Sequence, residues 1–371
     1  MSKAAMPRPP LISGFGYVRP LGSGGYANVY QYEQDMPRRA VAVKVLETPL
    51  SEPRDRSDFE SEADAMARLS SHPSIVSVYS AGVAADGRPY LTMEYCPESM
   101  RARTRGNPAP LDVVLDAGVR LAGALETAHR AGILHRDIKP SNVLIATTGR
   151  PALADFGIST LRGRDAVAEK SQAMSVPWAA PEVVTGATPG TIASEVWALG
   201  ATLYTFAAGR SPFELVDRSQ NTQAKMIERI TRARYTPVPG AQGYGPLDAV
   251  LAHAMALAPR QRYASMREFG ETLQQLQRSY GYDVTPLDLV DESWVAPAPV
   301  GDAPRGPVIS QVRATTRAQR RAALAGAEPD RDGIVAEPPS SQLRAGLIGA
   351  GAAVVVIGGL VALALALGWI G

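Results

Sequence analysis

Cysteine is almost missing from this sequence: Cys96 is the single example in 371 residues. An intrachain disulfide framework is therefore excluded, as is a cysteine-based zinc site, and the chain suits a reducing compartment. Lysine is scarce too. Five positions (Lys3, Lys44, Lys139, Lys170, Lys225) account for it among 38 basic residues, the rest being arginine. Net charge is close to absent, because 38 basic residues face 36 acidic ones and leave +2, so no global positive field draws the chain to nucleic acid. The first ten residues, MSKAAMPRPP, lack the apolar run and cleavage pattern of a signal peptide. With 45% hydrophobic and 20% charged residues, a wholly disordered chain and a multi-span membrane protein are both excluded.

Long hydrophobic runs are missing everywhere except at the C-terminal end, where Ala345 to Gly371 carries no charge. A helix over 345–370 would be about 39 Å long, enough to cross a hydrocarbon core of about 30 Å with some tilt. The expectation is one transmembrane helix over 345–370, with Trp369 at the far interface. Arg313, Arg317, Arg320, Arg321, Arg331 and Arg344 precede it and no charge follows. The positive-inside rule then keeps the body of the protein cytoplasmic and sends the C-terminus to the outer face of the cell membrane, with no sensor domain beyond it. Residues 281–344, rich in Pro, Ala, Gly and Arg, read as a disordered juxtamembrane linker, with a short helix over 309–326 as an option. Its arginines are either a solvated run or a contact for anionic headgroups. Small residues repeat at four-residue spacing in the span (Ala345/Gly349/Ala353 and Gly358/Ala362/Ala366). They either allow a homodimer by close helix approach or reflect only the abundance of Ala and Gly.

Residues 1–13 read as a flexible N-terminus, and 14–280 as the folded body. GFGYVRPLGSGGYANVYQYE reads as two strands about a glycine turn, RAVAVKVLE as a third, and SIVSVYSAGVAADGRPYLTMEY as a hairpin turning at Asp86-Gly87. SDFESEADAMARLSS is a helix among them. From Leu111 long helical patterns take over, as in LDVVLDAGVRLAGALETAHRAG and ASEVWALGATLYTFAAG. A small strand-rich half followed by a larger helical half is an α+β, two-lobed layout.

Several motifs within this body carry chemistry. Gly22-Ser23-Gly24-Gly25 lies between two strands, whereas a dinucleotide-binding turn would open a helix. A glycine loop in that setting suits a flap whose backbone lies over phosphates. Lys44 follows inside the apolar strand Val41-Ala42-Val43-Lys44, where an ammonium must find an anion or lie at an edge. Glu62 on the next helix, or phosphates, would supply the anion. His135-Arg136-Asp137-Ile138-Lys139-Pro140-Ser141-Asn142 gathers a carboxylate, a cation and an amide within six positions. Asp155-Phe156-Gly157 and Ala180-Pro181-Glu182 complete the series.

In order and spacing, these five motifs resemble the eukaryotic-like bacterial Ser/Thr protein kinase family, in an actinobacterial, membrane-anchored version. The resemblance covers about 265 residues, and Met174-Ser175-Val176-Pro177-Trp178 and GRSPFE share in it. It implies a two-lobed protein kinase fold, with an N-lobe over about 14–95 and a helical C-lobe over about 96–280. It also implies transfer of the ATP γ-phosphate to Ser/Thr hydroxyls of protein substrates, with ATP and Mg²⁺ as cofactors. By resemblance, Asp137 is the catalytic base, Lys139 neutralises the transferring phosphoryl group, and Asn142 and Asp155 hold the metal. Gly22, Ser23, Gly24 and Gly25 cover the phosphates, and Lys44, steadied by Glu62, binds them. Leu21, Val29 and Ala42 roof the adenine, Leu144 floors it, Met93 is the gatekeeper, and Glu94 to Cys96 form the hinge. Cys96 is either a reactive thiol or a small half-buried residue.

Three departures from the family pattern stand out. Ala27 replaces the third loop glycine. Glu195 stands where the family has the helical aspartate that braces the catalytic loop. Ser175 replaces a threonine while keeping the hydroxyl that bridges Asp137 and Lys139. Arg262 is expected to pair with Glu182, and Arg136 to meet a phosphate on the activation segment. Ser159, Thr160, Ser171 and Ser175 are candidate autophosphorylation sites, Ser171 foremost. Thr315 and Thr316, if modified, would recruit phosphothreonine-binding partners. The alternative is a membrane-anchored pseudokinase or scaffold, which loss of Lys44, Asp137 or Asp155 would favour; all three are present.

Overall fold

The computed structural model describes residues 7–23, 27–47, 49, 53–156, 175–239 and 244–290, without the side chains at 53–55, 58 and 62. The chain divides after Ala298, and the second unit, Pro299–Gly371, lies outside the described residues. So do the expected span at 345–370 and the helix option at 309–326. Among the described residues no helix is long and apolar enough to cross a membrane.

The N-terminal lobe is an antiparallel sheet of β1 (Phe15–Ser23), β2 (Ala27–Gln34), β3 (Arg39–Leu46), β4 (Val78–Val83) and β5 (Pro89–Glu94), in the order β1-β2-β3-β5-β4. Helix α1 (Pro53–Leu69) sits in the crossover, and Gly87 at φ 85 turns the last hairpin at the expected Asp86-Gly87. Strand alternation sorts the side chains between two faces. Tyr30, Tyr32, Val41, Val43 and Val45 fall on one face and build a closed core with Ile12 and Ala84. Val29, Ala42 and Lys44 fall on the other, facing the second lobe.

Residues 7–12 are part of this lobe. Tyr30 Oη donates to the Pro7 carbonyl at 2.9 Å and Tyr32 Oη to the Pro10 carbonyl at 2.7 Å. Arg88 Nη2 holds the Arg8 carbonyl at 2.9 Å, and Ile12 is buried. The expectation of a flexible segment over 1–13 is therefore corrected for this stretch. The anchors are tyrosine hydroxyls on a distant strand, which the Pro-rich composition of the segment does not reveal.

The C-terminal lobe is helical, with α2 (Met100–Thr104), α3 (Leu111–Arg130), α4 (Pro181–Val184), α5 (Ile192–Ala208), α6 (Gln223–Thr231), α7 (Gly245–Ala254) and α8 (Met266–Ser279). Helix α5 is apolar nearly all round and forms its axis, with Trp197 stacked on Phe213 at 5.7 Å. A Thr191/Ser194 capping box starts α5 and Gly209 at φ 70 ends it. A small sheet of β6 (Glu98–Ser99), β7 (Val143–Ile145) and β8 (Pro151–Leu153) lies under the first lobe. The loop after α1 docks on it: Leu153 N–H donates to the Ser74 carbonyl and Val76 N–H to the Leu153 carbonyl, both at 2.9 Å.

The folded body also continues past 280. Residues 281–290 run back over α3 and α8, and Thr285 is buried between them. The expectation of a disordered linker from 281 is therefore corrected for 281–290, and the rest of that stretch lies outside the described residues. Several partners of this stretch (His72, Asp116, Thr127 and Arg150) lie more than a hundred residues upstream, where local composition carries no trace of them.

Candidate active site

The loop 135–142 joins α3 to β7, and Asp155 follows β8, so one small sheet delivers both groups to the cleft face of the first lobe. Asp137 is the hub of the loop. Its Oδ1 accepts the Ser175 hydroxyl at 2.6 Å; its Oδ2 accepts Lys139 Nζ at 2.8 Å and Asn142 Nδ2 at 3.1 Å. Asn142 Nδ2 also donates to the Asp137 carbonyl at 2.8 Å, and Lys139 Nζ to Ser175 Oγ at 3.0 Å. A carboxylate, an ammonium, an amide and a hydroxyl thus converge on one point.

Buried groups behind the loop set its shape. His135 is fully buried, and burial pushes its imidazole below its ordinary pKa, so the ring is neutral. Its Nδ1 accepts the Asp137 N–H at 3.2 Å, which leaves the proton on Nε2 for the Ala154 carbonyl at 3.0 Å. Arg136 sits at φ 62, a left-handed conformation costly for a side chain-bearing residue. Glu195 sustains it: Oε1 accepts the Arg136 N–H, and Oε2 meets His129 Nε2, each at 2.6 Å. The longer arm of glutamate therefore still reaches the loop backbone. The sequence reading passed over His129. A histidine in the last turn of a helix reads as a partner of the helix dipole, and its true partner lies 66 residues away.

Across the cleft, Lys44 Nζ meets Asp155 Oδ1 at 2.7 Å, with the lysine side chain only 13% exposed. The Lys44 charge holds the Asp155 carboxyl below the usual carboxylate range, against the opposing effect of burial. Asp155 also adopts a left-handed backbone, at φ 61. Gly22 and Ser23 end β1 opposite Val29 and Asn28, while Gly24 and Gly25 lie outside the described residues. Glu62 falls within α1, but its side chain lies outside the described set. Leu21 is on β1, Val29 on β2, and Ala42 pairs with Met93 across β3 and β5. Met93, Cys96 and Leu144 pack together against Val76, Ala152 and Ala154, so the residues expected as gatekeeper, hinge and floor share one apolar cluster. Glu94 ends β5, its N–H bonded to the Ser77 carbonyl at 2.9 Å. Burial first, then Glu94, push the Cys96 thiol up to about 12. That direction opposes the thiolate a reactive thiol needs and fits the small half-buried residue.

Farther out, Arg262 holds Glu182 through Nη1 at 2.6 Å and Nη2 at 2.9 Å, under the expected ion pair. Ser159, Thr160 and Ser171 lie outside the described residues. Ser175 is engaged with Asp137 and Lys139, as above.

The site also fits a magnesium ion. Asn142 commits its amide nitrogen to Asp137 and leaves Oδ1 with only a 3.5 Å contact from Ser141, while Asp155 stays ionised. Both offer the hard oxygen ligands that Mg²⁺ takes. Among the described residues no three or more His, Cys, Asp or Glu gather as a cage. Phosphate and water would therefore supply the remaining ligands, as this ion prefers.

Comparison with known proteins agrees with this geometry. The protein kinase domain family matches residues 15–268. Over 285 residues the chain is 41% identical to serine/threonine-protein kinase PknK of Mycobacterium tuberculosis, which covers 75% of this chain and 25% of that protein. It is 31% identical over 302 residues to PknJ of the same organism, covering 78% of this chain and 48% of PknJ. Among solved structures, the kinase domain of M. tuberculosis PknI superimposes with a TM-score of 0.52 at 29% identity, over 71% of this chain and 95% of that one. The chain spans about a quarter of the length of PknK and about half of PknJ. With its motifs in place across 15–268, the chain belongs to the protein kinase family, among the eukaryotic-like Ser/Thr kinases of bacteria.

Proposed function

We propose that this chain is a protein Ser/Thr kinase that moves the γ-phosphoryl group of ATP to serine or threonine hydroxyls of protein substrates. The observation that carries the reading is the convergence of Lys139, Asn142 and Ser175 on the Asp137 carboxylate, opposite the Lys44–Asp155 pair. Phosphoryl transfer depends on positioning and charge neutralisation more than on covalent chemistry, and these residues offer both. Asp137 orients the acceptor hydroxyl, as its Oδ1 now holds the Ser175 hydroxyl, and accepts its proton. Lys139 sits within reach of the same oxygens and balances charge as the phosphoryl group moves. Lys44, which now holds Asp155, turns its ammonium to the non-transferred phosphates. Asn142 and Asp155 would hold Mg²⁺, which when bound would supply positive charge to the phosphate oxygens. His135, Glu195 and His129 keep the loop in its strained shape.

Autophosphorylation on the activation segment, a homodimer, and phosphothreonine-binding partners docking on Thr315 or Thr316 belong to the same proposal. So does a single span over 345–370 that keeps the kinase body cytoplasmic and the C-terminus at the outer face of the cell membrane. Its support is the charge-free run after Arg344 and the arginines before it. The test incubates the full chain with labelled ATP, Mg²⁺ and a generic protein acceptor beside Asp137→Asn. The parent is expected to transfer label, and Asp137→Asn to lose about 10²–10⁴-fold in turnover while still binding nucleotide. No transfer by the parent, to itself or to the acceptor, removes the reading.

A further inference from the structure

The chain after α8 is tied down more thoroughly than its place at the edge of the domain requires. Thr285 is buried with every polar atom engaged. Its N–H donates to Gln277 Oε1 at 2.9 Å, its hydroxyl donates to Asp116 Oδ1 and accepts from Gln277 Nε2, both at 2.8 Å, and its carbonyl accepts from Gln274 Nε2 at 2.8 Å. Arg150 Nη2 donates to Asp288 Oδ2 at 3.1 Å, and the Val290 N–H to Thr127 Oγ1 at 3.2 Å. Both helices under the segment carry glycine where it crosses them. A Cβ on Gly123 of α3 would lie 2.4 Å from the Asp288 carbonyl oxygen, and one on Gly270 of α8 would lie 2.7 Å from Leu287 Cδ1. Glycine weakens a helix interior, so helix stability is given up at the two positions that admit this segment.

The segment reaches the first lobe through one histidine. His72, buried in the loop after α1, donates from Nε2 to the Asp288 carbonyl at 3.0 Å. Its tautomer follows from the other nitrogen, since Nδ1 accepts the Ser74 N–H at 3.0 Å and the proton must sit on Nε2. Ser74 and Val76 of that same loop pair with Leu153 of β8, and Asp155 stands two residues farther along. One loop therefore joins the C-terminal end of α1 to the strand that delivers Asp155.

We propose that Thr285–Val290 is a positioning strap for the nucleotide site. The Asp288 carbonyl, acting through His72, holds the loop that sets α1 and β8, and with them Asp155 and its Lys44 pair. Only the kinetic part of this inference rests on the kinase reading.

The test uses the full-length chain. Gly123→Ala drives a Cβ into the Asp288 carbonyl, and His72→Phe removes the donor. His72→Gln retains an N–H at the Nε2 position as the conservative rescue. Leu251→Ala, in the buried core of the second lobe, lowers stability without touching the strap and serves as the control. Hydrogen exchange over 53–69 and 285–290 is read together with steady-state kinetics in ATP. Gly123→Ala and His72→Phe are expected to speed exchange in α1 and to raise the KM for ATP about fivefold or more, the low end of measured couplings between sites. His72→Gln and Leu251→Ala are expected to stay near the parent in both. Faster exchange in 285–290 with α1 and the KM for ATP unchanged would overturn the proposal, because the segment would then be packing alone. If Gly123→Ala does not fold, the two His72 variants decide. Absence of phosphotransfer in the parent would remove the kinase reading instead, and the exchange measurement would still decide the strap.

Discussion

The catalytic loop and the C-terminal strap are both held by buried polar contacts, yet by opposite means. The loop relies on charge and strain: Arg136 is kept at φ 62 by a buried glutamate, and the side chains of Lys139, Asn142 and Ser175 crowd the Asp137 carboxylate. The strap relies on shape. A main-chain carbonyl meets a neutral histidine, glycines open the helices beneath it, and no residue of Thr285–Val290 has a positive φ. Strain is stored where the chemistry is proposed and absent where the task is to hold position. The loop should therefore fail when a charge is removed, and the strap when volume is added.

The largest effect expected from breaking this contrast is on the loop side. Glu195→Ala strips the Arg136 N–H and His129 of their common partner, and losing the acceptor of a buried polar group costs about 1–3 kcal/mol for each. Urea denaturation should show that loss, together with a fall in turnover. Unchanged turnover at reduced stability would show that the loop keeps its shape without Glu195.

A smaller effect sharpens the contrast through pH. Burial lowers the pKa of both His135 in the loop and His72 under the strap. Unfolded imidazole titrates at about 6.5, so as pH falls below that value the unfolded chain gains protons that the folded chain refuses. Stability should fall from about pH 6.5 downward, toward the folded-state values. The depressed Asp155 carboxyl acts in the same direction but later: its contribution is present above about 3.9 and is lost as pH drops through its folded value. Denaturation midpoints measured between about pH 7.5 and 5.5 should slope accordingly, and His72→Phe should remove part of the slope. A flat profile would contradict neutral burial of both rings.

The smallest effect concerns the hinge, which belongs to neither region. With its thiol raised to about 12, Cys96 should alkylate at about pH 8 more than 100-fold more slowly than free cysteine. Mass spectrometry of iodoacetamide-treated protein checks this, and labelling at the free-thiol rate would refute the burial argument.

Much of the proposed site was legible because the chemistry sits in contiguous stretches. Asp137, Lys139 and Asn142 lie within one turn-rich octet, and Lys44 sits in a short apolar strand. Of the supports, Glu195 and Ser175 were legible through the resemblance and the others were not. His129 reads as an ordinary helix-end residue until Glu195 arrives from α5, and Gly123 reads as a weak point in α3 until the Asp288 carbonyl lies across it. Residues 7–12 and 281–290 look like tails, because low aromatic content and prolines are the usual marks of unpacked chain. Their anchors are Tyr30 and Tyr32 for the first, and Gln277, Asp116 and His72 for the second.

The sequence by itself determined the order of strands and helices, the family, and which side chains are the candidates to bear the proposed chemistry. These follow from periodicity and from motifs whose members are neighbours along the chain. Tertiary structure alone decided what holds those side chains in place and where the domain begins and ends. Such contacts reach across as many as 216 positions of the chain, as between His72 and the Asp288 carbonyl. Whether a histidine, a glycine or a carbonyl matters there depends on what the fold brings against it.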